Sequence, residues 1–272
     1  MKIITTKTTR KKLLKYIQRV LEKQRPVIII VTGSMGKTTT HAAIAEVVSA
    51  KLRTKVITTN DNNGRGPLLG FFGMSLPQKA NSKKFGIKAL AKAYKMSFRF
   101  PFEAVVLEIS DSAYESLKDF LEIINADYCV VTGVAKVHMK KFESEENLLE
   151  DMKNIAQTAQ KIVYNADFQQ LEQMFKSTWA ISYGTKEGDY TFSASRNTKL
   201  GLLENKISFT HKDWIKYQSK FIATHALYAQ TASAIIGKEL TIPESLIVEQ
   251  LESMAPLKGR VNVFKGINNS TI

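Results

Sequence analysis

Val27-Ile28-Ile29-Ile30-Val31-Thr32-Gly33-Ser34-Met35-Gly36-Lys37-Thr38-Thr39-Thr40 decides the fold of this 272-residue chain. Val27 to Val31 are all β-branched and read as a strand buried on both faces, the pattern of a parallel sheet. The run ends in a turn with two glycines, and Lys37 to Thr40 open a helical stretch. Strand, glycine turn and helix N-terminus together make an anion site. Glycines let backbone N–H groups approach phosphate oxygens, the helix dipole favours negative charge, and a lysine reaches the outer phosphates. Thr38, directly after the lysine, is placed to hold Mg²⁺ through its hydroxyl. The longer P-loop spacing would put a glycine where Val31 stands, so Gly33-x-x-Gly36-Lys37-Thr38 is a shorter relative. The bland alternative is a plain strand–turn–helix.

Downstream, strands and helices alternate. Residues 37–52 read as a helix and 55–59 as a second strand, followed by the polar loop Asn60 to Pro67. A cationic amphipathic stretch covers 83–98. Glu103–Ile109 is a strand that carries Glu108 near its end, 114–124 a helix, and Ala126–Thr132 another buried strand. Then come a helix over 145–160, a strand over 161–164 ending in Asn165-Ala166-Asp167, a helix over 168–176 and a strand over 179–183. The expected fold class is therefore α/β: a mostly parallel sheet of P-loop type with helices on both faces. From 188 to 222 short alternating segments predict a small antiparallel meander. Helices over 224–236 and 243–252, a turn through Gly259-Arg260 and a last strand over 261–264 complete the chain.

The loop at 33–36, the Asn60–Pro67 segment, Glu108 and His138 all fall at or just after strand ends. They are expected on one sheet edge, where open α/β sheets bind ligands. A carboxylate inside an apolar strand needs a partner, and beside a phosphate loop the natural one is a metal ion; a buried salt bridge is the alternative.

Apolar content of 44% and charged content of 24% are those of a globular protein, and no run approaches the ~20 apolar residues of a membrane span. The N-terminus has no signal-peptide core, and the lone cysteine, Cys129, cannot form an internal disulfide, so a cytoplasmic location is expected. The net charge of +14 sits almost wholly in two segments. Residues 1–25 hold nine Lys/Arg against one acid, and residues 78–102 hold seven against none. Two basic appendages on a neutral body argue against a nucleic-acid protein, although peripheral membrane contact through the basic helices is open. Solvated, packed helices are the plainer reading.

These motifs resemble the Mur ligase family of ATP-dependent amide-forming enzymes. The likeness covers roughly residues 26–272. Thr32 to Thr39 resembles the family's short phosphate loop, with Gly33, Ser34, Met35, Gly36, Lys37, Thr38 and Thr39 expected at ATP. Asn60, Asn62 and Asn63, with Gly66, resemble a substrate loop most typical of the branch that adds a D-alanyl-D-alanine dipeptide. Val106-Leu107-Glu108 matches the family's metal-binding glutamate. Val137-His138-Met139 resembles its histidine motif, so the resemblance implies Mg²⁺ at Thr38, Glu108 and His138. Asn165, His225 and Arg260 are the counterparts of further nucleotide-binding residues. By that likeness ATP phosphorylates the carboxylate of a small peptide precursor, and the amine of an amino acid or dipeptide attacks. Lys37, Glu108, His138 and Lys153 are the expected catalytic residues.

The departures are specific. Gly133 stands where the family usually has asparagine, Lys136 where an acid is common, and Ala229 where asparagine follows the helix histidine. The family's carbamylated lysine falls by count on Met152, with Lys153 next to it, about 100° away on a helix. The organisation expected is a basic amphipathic helix over 1–25, an ATP-binding domain over 26–255 with a basic insertion at 78–102, and a last strand over 256–272 leading to a C-terminal domain that is absent. Without that domain, MgATP binding is expected and turnover is not. A diverged, non-catalytic MgATP-binding partner protein is the alternative.

Overall fold

The structure, a computed structural model, describes residues 7–58, 66–75, 83–111, 113–135, 145–176, 179–197, 202–210, 212–219 and 224–255. Helix α1 (Lys7–Gln24) leads into strand β1 (Val27–Thr32), and α2 (Lys37–Ser49) leads to β2 (Thr54–Ile57). Two helices, α3 (Gly66–Phe71) and α4 (Lys83–Met96), precede β3 (Ala104–Glu108). Next come α5 (Tyr114–Ile124), β4 (Ala126–Val131), α6 (Glu145–Ala156), β5 (Ala159–Asn165), α7 (Gln169–Phe175) and β6 (Ala180–Gly184). Strands β7 (Tyr190–Asn197), β8 (Leu202–Phe209) and β9 (Lys212–Ser219) are followed by α8 (Thr224–Glu239) and α9 (Glu244–Ser253).

The nine strands among the described residues belong to one sheet in the order β2-β3-β1-β4-β5-β6-β7-β8-β9. Pairing is parallel from β2 through β7 and antiparallel from β7 through β9, so the expected meander extends the parallel sheet. The apolar run of β1 has a direct cause. Ile28 and Ile30 enter a core shared with α1, α3, α4, α5, α6 and α7, while Ile29 and Val31 enter a second core with α2, α8 and α9. Strand β3 does the same, with Val105 and Leu107 on one side and Ala104 and Val106 on the other. Both faces are covered, which is why neither strand alternates.

Several sequence-based boundaries move, among them β2, which is Thr54–Ile57, and α8, which runs to Glu239. Gly66 and Pro67, expected in a loop, begin α3, whose Leu68, Leu69 and Phe71 are buried. Proline in a first turn gives up no helical hydrogen bond, so it reads as a breaker while serving as a start. The helix expected over 145–160 stops at Ala156, and β5 starts at Ala159. The strand expected over 179–183 shifts one residue, leaving Trp179 exposed. The expected strand over 261–264 lies outside the described residues. Cys129 is buried in β4, and that burial pushes its thiol up, so it serves packing.

Candidate nucleotide-binding site

Strand β1 lies between β3 and β4, the point where the chain's crossovers diverge to either side of the sheet. Ligands bind outside the carboxyl ends of strands at such a switch point. Register brings the relevant residues together there, with Val31 opposite Glu108 and Thr32 opposite Val131.

The loop is shaped by two glycines. Gly33 has φ 131° and Gly36 has φ 80°, conformations that L side chains rarely adopt. A Cβ on Gly33 would also lie 2.5 Å from Thr132 Oγ1. The Ser34 N–H donates to the Gly133 carbonyl at 2.8 Å. Thr132 braces the loop from the neighbouring strand. Sequence reading missed this role, because a threonine ending a buried strand carries no spacing signal.

Lys37 and Thr38 lie in the first turn of α2, which Gly36 caps from the left-handed region without a side-chain cap. The Lys37 ammonium donates to the carbonyl of Gly33 and, at 3.4 Å, to that of Ser34, so it is folded back over the loop. Thr39 is buried, and Met35 is 43% exposed at the loop's outer edge. The Thr38 hydroxyl donates to Glu108 Oε1 at 3.0 Å. Two further hydroxyls, Thr32 Oγ1 and Ser34 Oγ, are buried without a hydrogen-bond partner among the described residues.

These features fit a nucleotide phosphate with a hard cation. The cradle excludes any Cβ at Gly33, and Ser34 has an unused donor in the loop. The helix N-terminus adds its dipole, and Thr38 and Glu108 are the oxygen ligands that Mg²⁺ prefers.

His41, one turn further along α2, is buried with Nε2 3.2 Å from the Val106 carbonyl. Burial holds its imidazole below the usual value, outweighing the carbonyl and the Glu108 charge.

The expected residues divide into three groups. Gly33, Ser34, Met35, Gly36, Lys37, Thr38 and Glu108 converge as described. Asn165 ends β5 on the same edge, buried, with Nδ2 donating to the Thr132 carbonyl at 3.3 Å and Oδ1 accepting the Asp167 N–H at 3.1 Å. Its side chain is therefore engaged by backbone, in support of the strand end. Lys153 sits in the last turn of α6 and is exposed, whereas Met152 is fully buried in the core. His225 lies in the first turn of α8, its side chain outside the described set. Asn60, Asn62, Asn63, Lys136, His138 and Arg260 also lie outside the described residues.

The departures at Gly133 and Ala229 have packing counterparts. A Cβ at Gly133 would lie 2.9 Å from the Phe168 ring and 3.2 Å from Met35 Cγ, so the ring holds the space that a side chain would take. Ala229 is buried in the second core. Nearby, Asp167 Oδ2 accepts hydrogen bonds from the Thr185 N–H and hydroxyl, both 2.8 Å, and from the Tyr228 hydroxyl at 2.6 Å. That junction ties the ends of β5 and β6 to α8, and sequence reading did not anticipate it.

Residues 31–237 match the family model described as the Mur ligase middle domain. The fold is similar to MurF ligase from Thermotoga maritima in complex with ADP, at TM-score 0.73 and 18% identity, over 95% of this chain and 55% of that one. It is similar to MurF from Acinetobacter baumannii at TM-score 0.68 and 17% identity, over 96% and 53% of the two chains. A pseudomurein peptide ligase type C from Methanothermus fervidus gives TM-score 0.61 and 17% identity, over 94% and 54%. The chain spans about half the length of these solved ligases. No helix among the described residues is long and apolar enough to cross a membrane.

Proposed function

Since residues 31–237 carry its middle domain, this chain belongs to the Mur ligase family, and from that premise we propose that it binds ATP with Mg²⁺ at the Gly33–Thr38 loop. A solved relative of similar fold carries ADP, which supports nucleotide binding by this chain. The observation that carries the reading is the Thr38–Glu108 contact beside a loop that only glycine can form. In the proposed reaction ATP phosphorylates a peptide carboxylate to an acyl phosphate. The amine of an amino acid or dipeptide then displaces phosphate, forming the amide. The proposed setting is cell-wall precursor synthesis in the cytoplasm, and the Asn60, Asn62 and Asn63 pattern favours a dipeptide as the incoming group.

The chain's own residues have separable parts in that scheme. Loop N–H groups and the Lys37 ammonium hold the phosphates and offset charge that builds on the transferred group. Thr38 and Glu108, with His138 as the proposed third ligand, would hold Mg²⁺, which neutralises phosphate charge when bound. Thr132 keeps the loop in shape by tying it to β4. Arg260 and His225 are proposed to face the nucleotide. Lys153 is proposed as the catalytic lysine of α6, reached from its exposed position.

One set of observations favours a second reading, a non-catalytic MgATP-binding partner protein. The Phe168 ring fills the space beside Gly133, Met152 is buried where the family's lysine falls by count, and Ala229 is packed in the core. ATP-dependent phosphate release by the complete gene product, given candidate peptides and amino acids, separates the two. Release that requires both co-substrates establishes the ligase. ATP binding without release under any combination establishes the partner protein.

A further inference from the structure

Helix α4 and the turn that continues it carry three distinct stripes. Ala89, Ala93 and Ser97 are buried against the body. Ile87, Ala91, Tyr94 and Phe98 are exposed and follow i, i+4, i+7, i+11 spacing, which is one line along a helix. Lys88, Lys92, Lys95 and Arg99, each one residue later, form a parallel line about 100° away. Ile87 is 66% exposed, Tyr94 50% and Phe98 51%. Seven large apolar residues are exposed among those described, and these three share one line, so the stripe is more than scattered surface apolarity.

The apolar line continues onto α1. Tyr16 meets Tyr94 edge-on at 5.6 Å between centroids, and Tyr94 meets Phe98 at 5.0 Å. The Arg19 guanidinium lies 4.7 Å from the Phe98 centroid and 5.8 Å from that of Tyr94, while Lys23 Nζ is 5.9 Å from Phe98. Basic residues of both helices thus flank the exposed aromatic and aliphatic side chains of α4 and its turn, and no acid occurs between residues 78 and 102.

We propose that the α1–α4 face lies on the surface of an anionic lipid bilayer. Ile87, Tyr94 and Phe98 enter the boundary between headgroups and acyl chains, and Lys88, Lys95, Arg19 and Lys23 meet lipid phosphates. Charge selects this occupant. A second copy of the same face would bring like charges together. A nucleic acid strand calls for a basic groove with stacking platforms, whereas this is a face of two packed helices with an aliphatic Ile87 as its most exposed apolar residue. The inference is independent of the nucleotide reading, since none of these residues belongs to the loop site.

Sedimentation of the full chain with vesicles tests it. Vesicles of phosphatidylcholine with roughly one-third phosphatidylglycerol should carry the protein down, while phosphatidylcholine alone should not, and added salt should weaken binding. Replacing Lys88 and Lys95 by glutamine should weaken binding about 25-fold, near fivefold per charge. Tyr94→Ser with Phe98→Ser should weaken it by roughly tenfold or more. A melting temperature unchanged in both reports an intact fold. In a third variant, Phe98→Trp, brominated lipid should quench fluorescence beyond that lost by the parent chain. Three results would overturn the proposal. The first is no vesicle binding. The second is equal binding by the Tyr94/Phe98 serine variant, with no extra quenching in the Phe98→Trp variant. The third is displacement from vesicles by single-stranded nucleic acid bound more tightly.

Discussion

The Thr38 hydroxyl donates to Oε1 of Glu108 at 3.0 Å, tying the first turn of α2 to the last residue of β3. The two residues are 70 positions apart in sequence and meet because β1 and β3 pair in register, Val31 opposite Glu108. In the proposed reading, this hydroxyl and carboxylate, held at a helix N-terminus, are two of the oxygens that would hold a hard cation.

Substitution at this pair separates fold from metal. Glu108→Gln keeps an oxygen acceptor for Thr38, so the melting temperature should stay close to that of the parent. The gain in ATP affinity produced by Mg²⁺ should fall by about tenfold or more, because the charge is gone. Calorimetric titration with and without Mg²⁺ checks this, and an undiminished Mg²⁺ effect would remove Glu108 from the site.

Gly33 has no room for a side chain. Gly33→Ala would set a Cβ 2.5 Å from Thr132 Oγ1 at a φ of 131°. The expected destabilisation is roughly 2 kcal/mol or more, together with loss of ATP binding. Chemical denaturation measures the first, and stability equal to the parent would mean the loop can adopt another shape.

Much of the architecture was readable because burial on two faces leaves a continuous apolar run, and Val27–Val31 is such a run. The loop was readable for a related reason: glycines at 33 and 36 answer a backbone demand that few other sequences meet. What escaped depends on contacts far apart in sequence. Thr132 supports the loop only because β4 lies beside β1. Pro67 passed for a loop residue because a first-turn proline and a helix-breaking one look alike in sequence. On α6, spacing alone could not say which of Met152 and Lys153 faces inward; the structure buries Met152.

His41 makes stability depend on pH. Its ordinary value is 6.5, and burial lowers it in the folded protein. The unfolded chain therefore takes up the proton first as pH falls. The stabilisation is complete above about pH 6.5 and is lost as pH drops toward the depressed folded value. His41→Gln, which retains a donor toward the Val106 carbonyl, should lose less melting temperature than the parent between about pH 7.5 and about pH 5.5. Identical losses in the two proteins would contradict this.

Lys238 closes α8 onto the meander. Its ammonium lies 3.7 Å from the Phe209 centroid, 4.7 Å from that of Trp214 and 5.1 Å from that of Tyr190. Lys238→Met keeps the aliphatic stem and removes the cation, so about 1 kcal/mol should be lost. Denaturation followed by Trp214 fluorescence checks it, and no change would show that packing alone holds the junction.

The most direct test of the nucleotide account is equilibrium titration of this chain and its Lys37→Ala variant with ATP in the presence of Mg²⁺. The parent should bind, and the variant should bind roughly 10- to 100-fold more weakly, as expected for loss of a charge-assisted contact to phosphate. Equal affinity in the two proteins, with the variant folded, would contradict the assignment of the Gly33–Thr38 loop as the phosphate site.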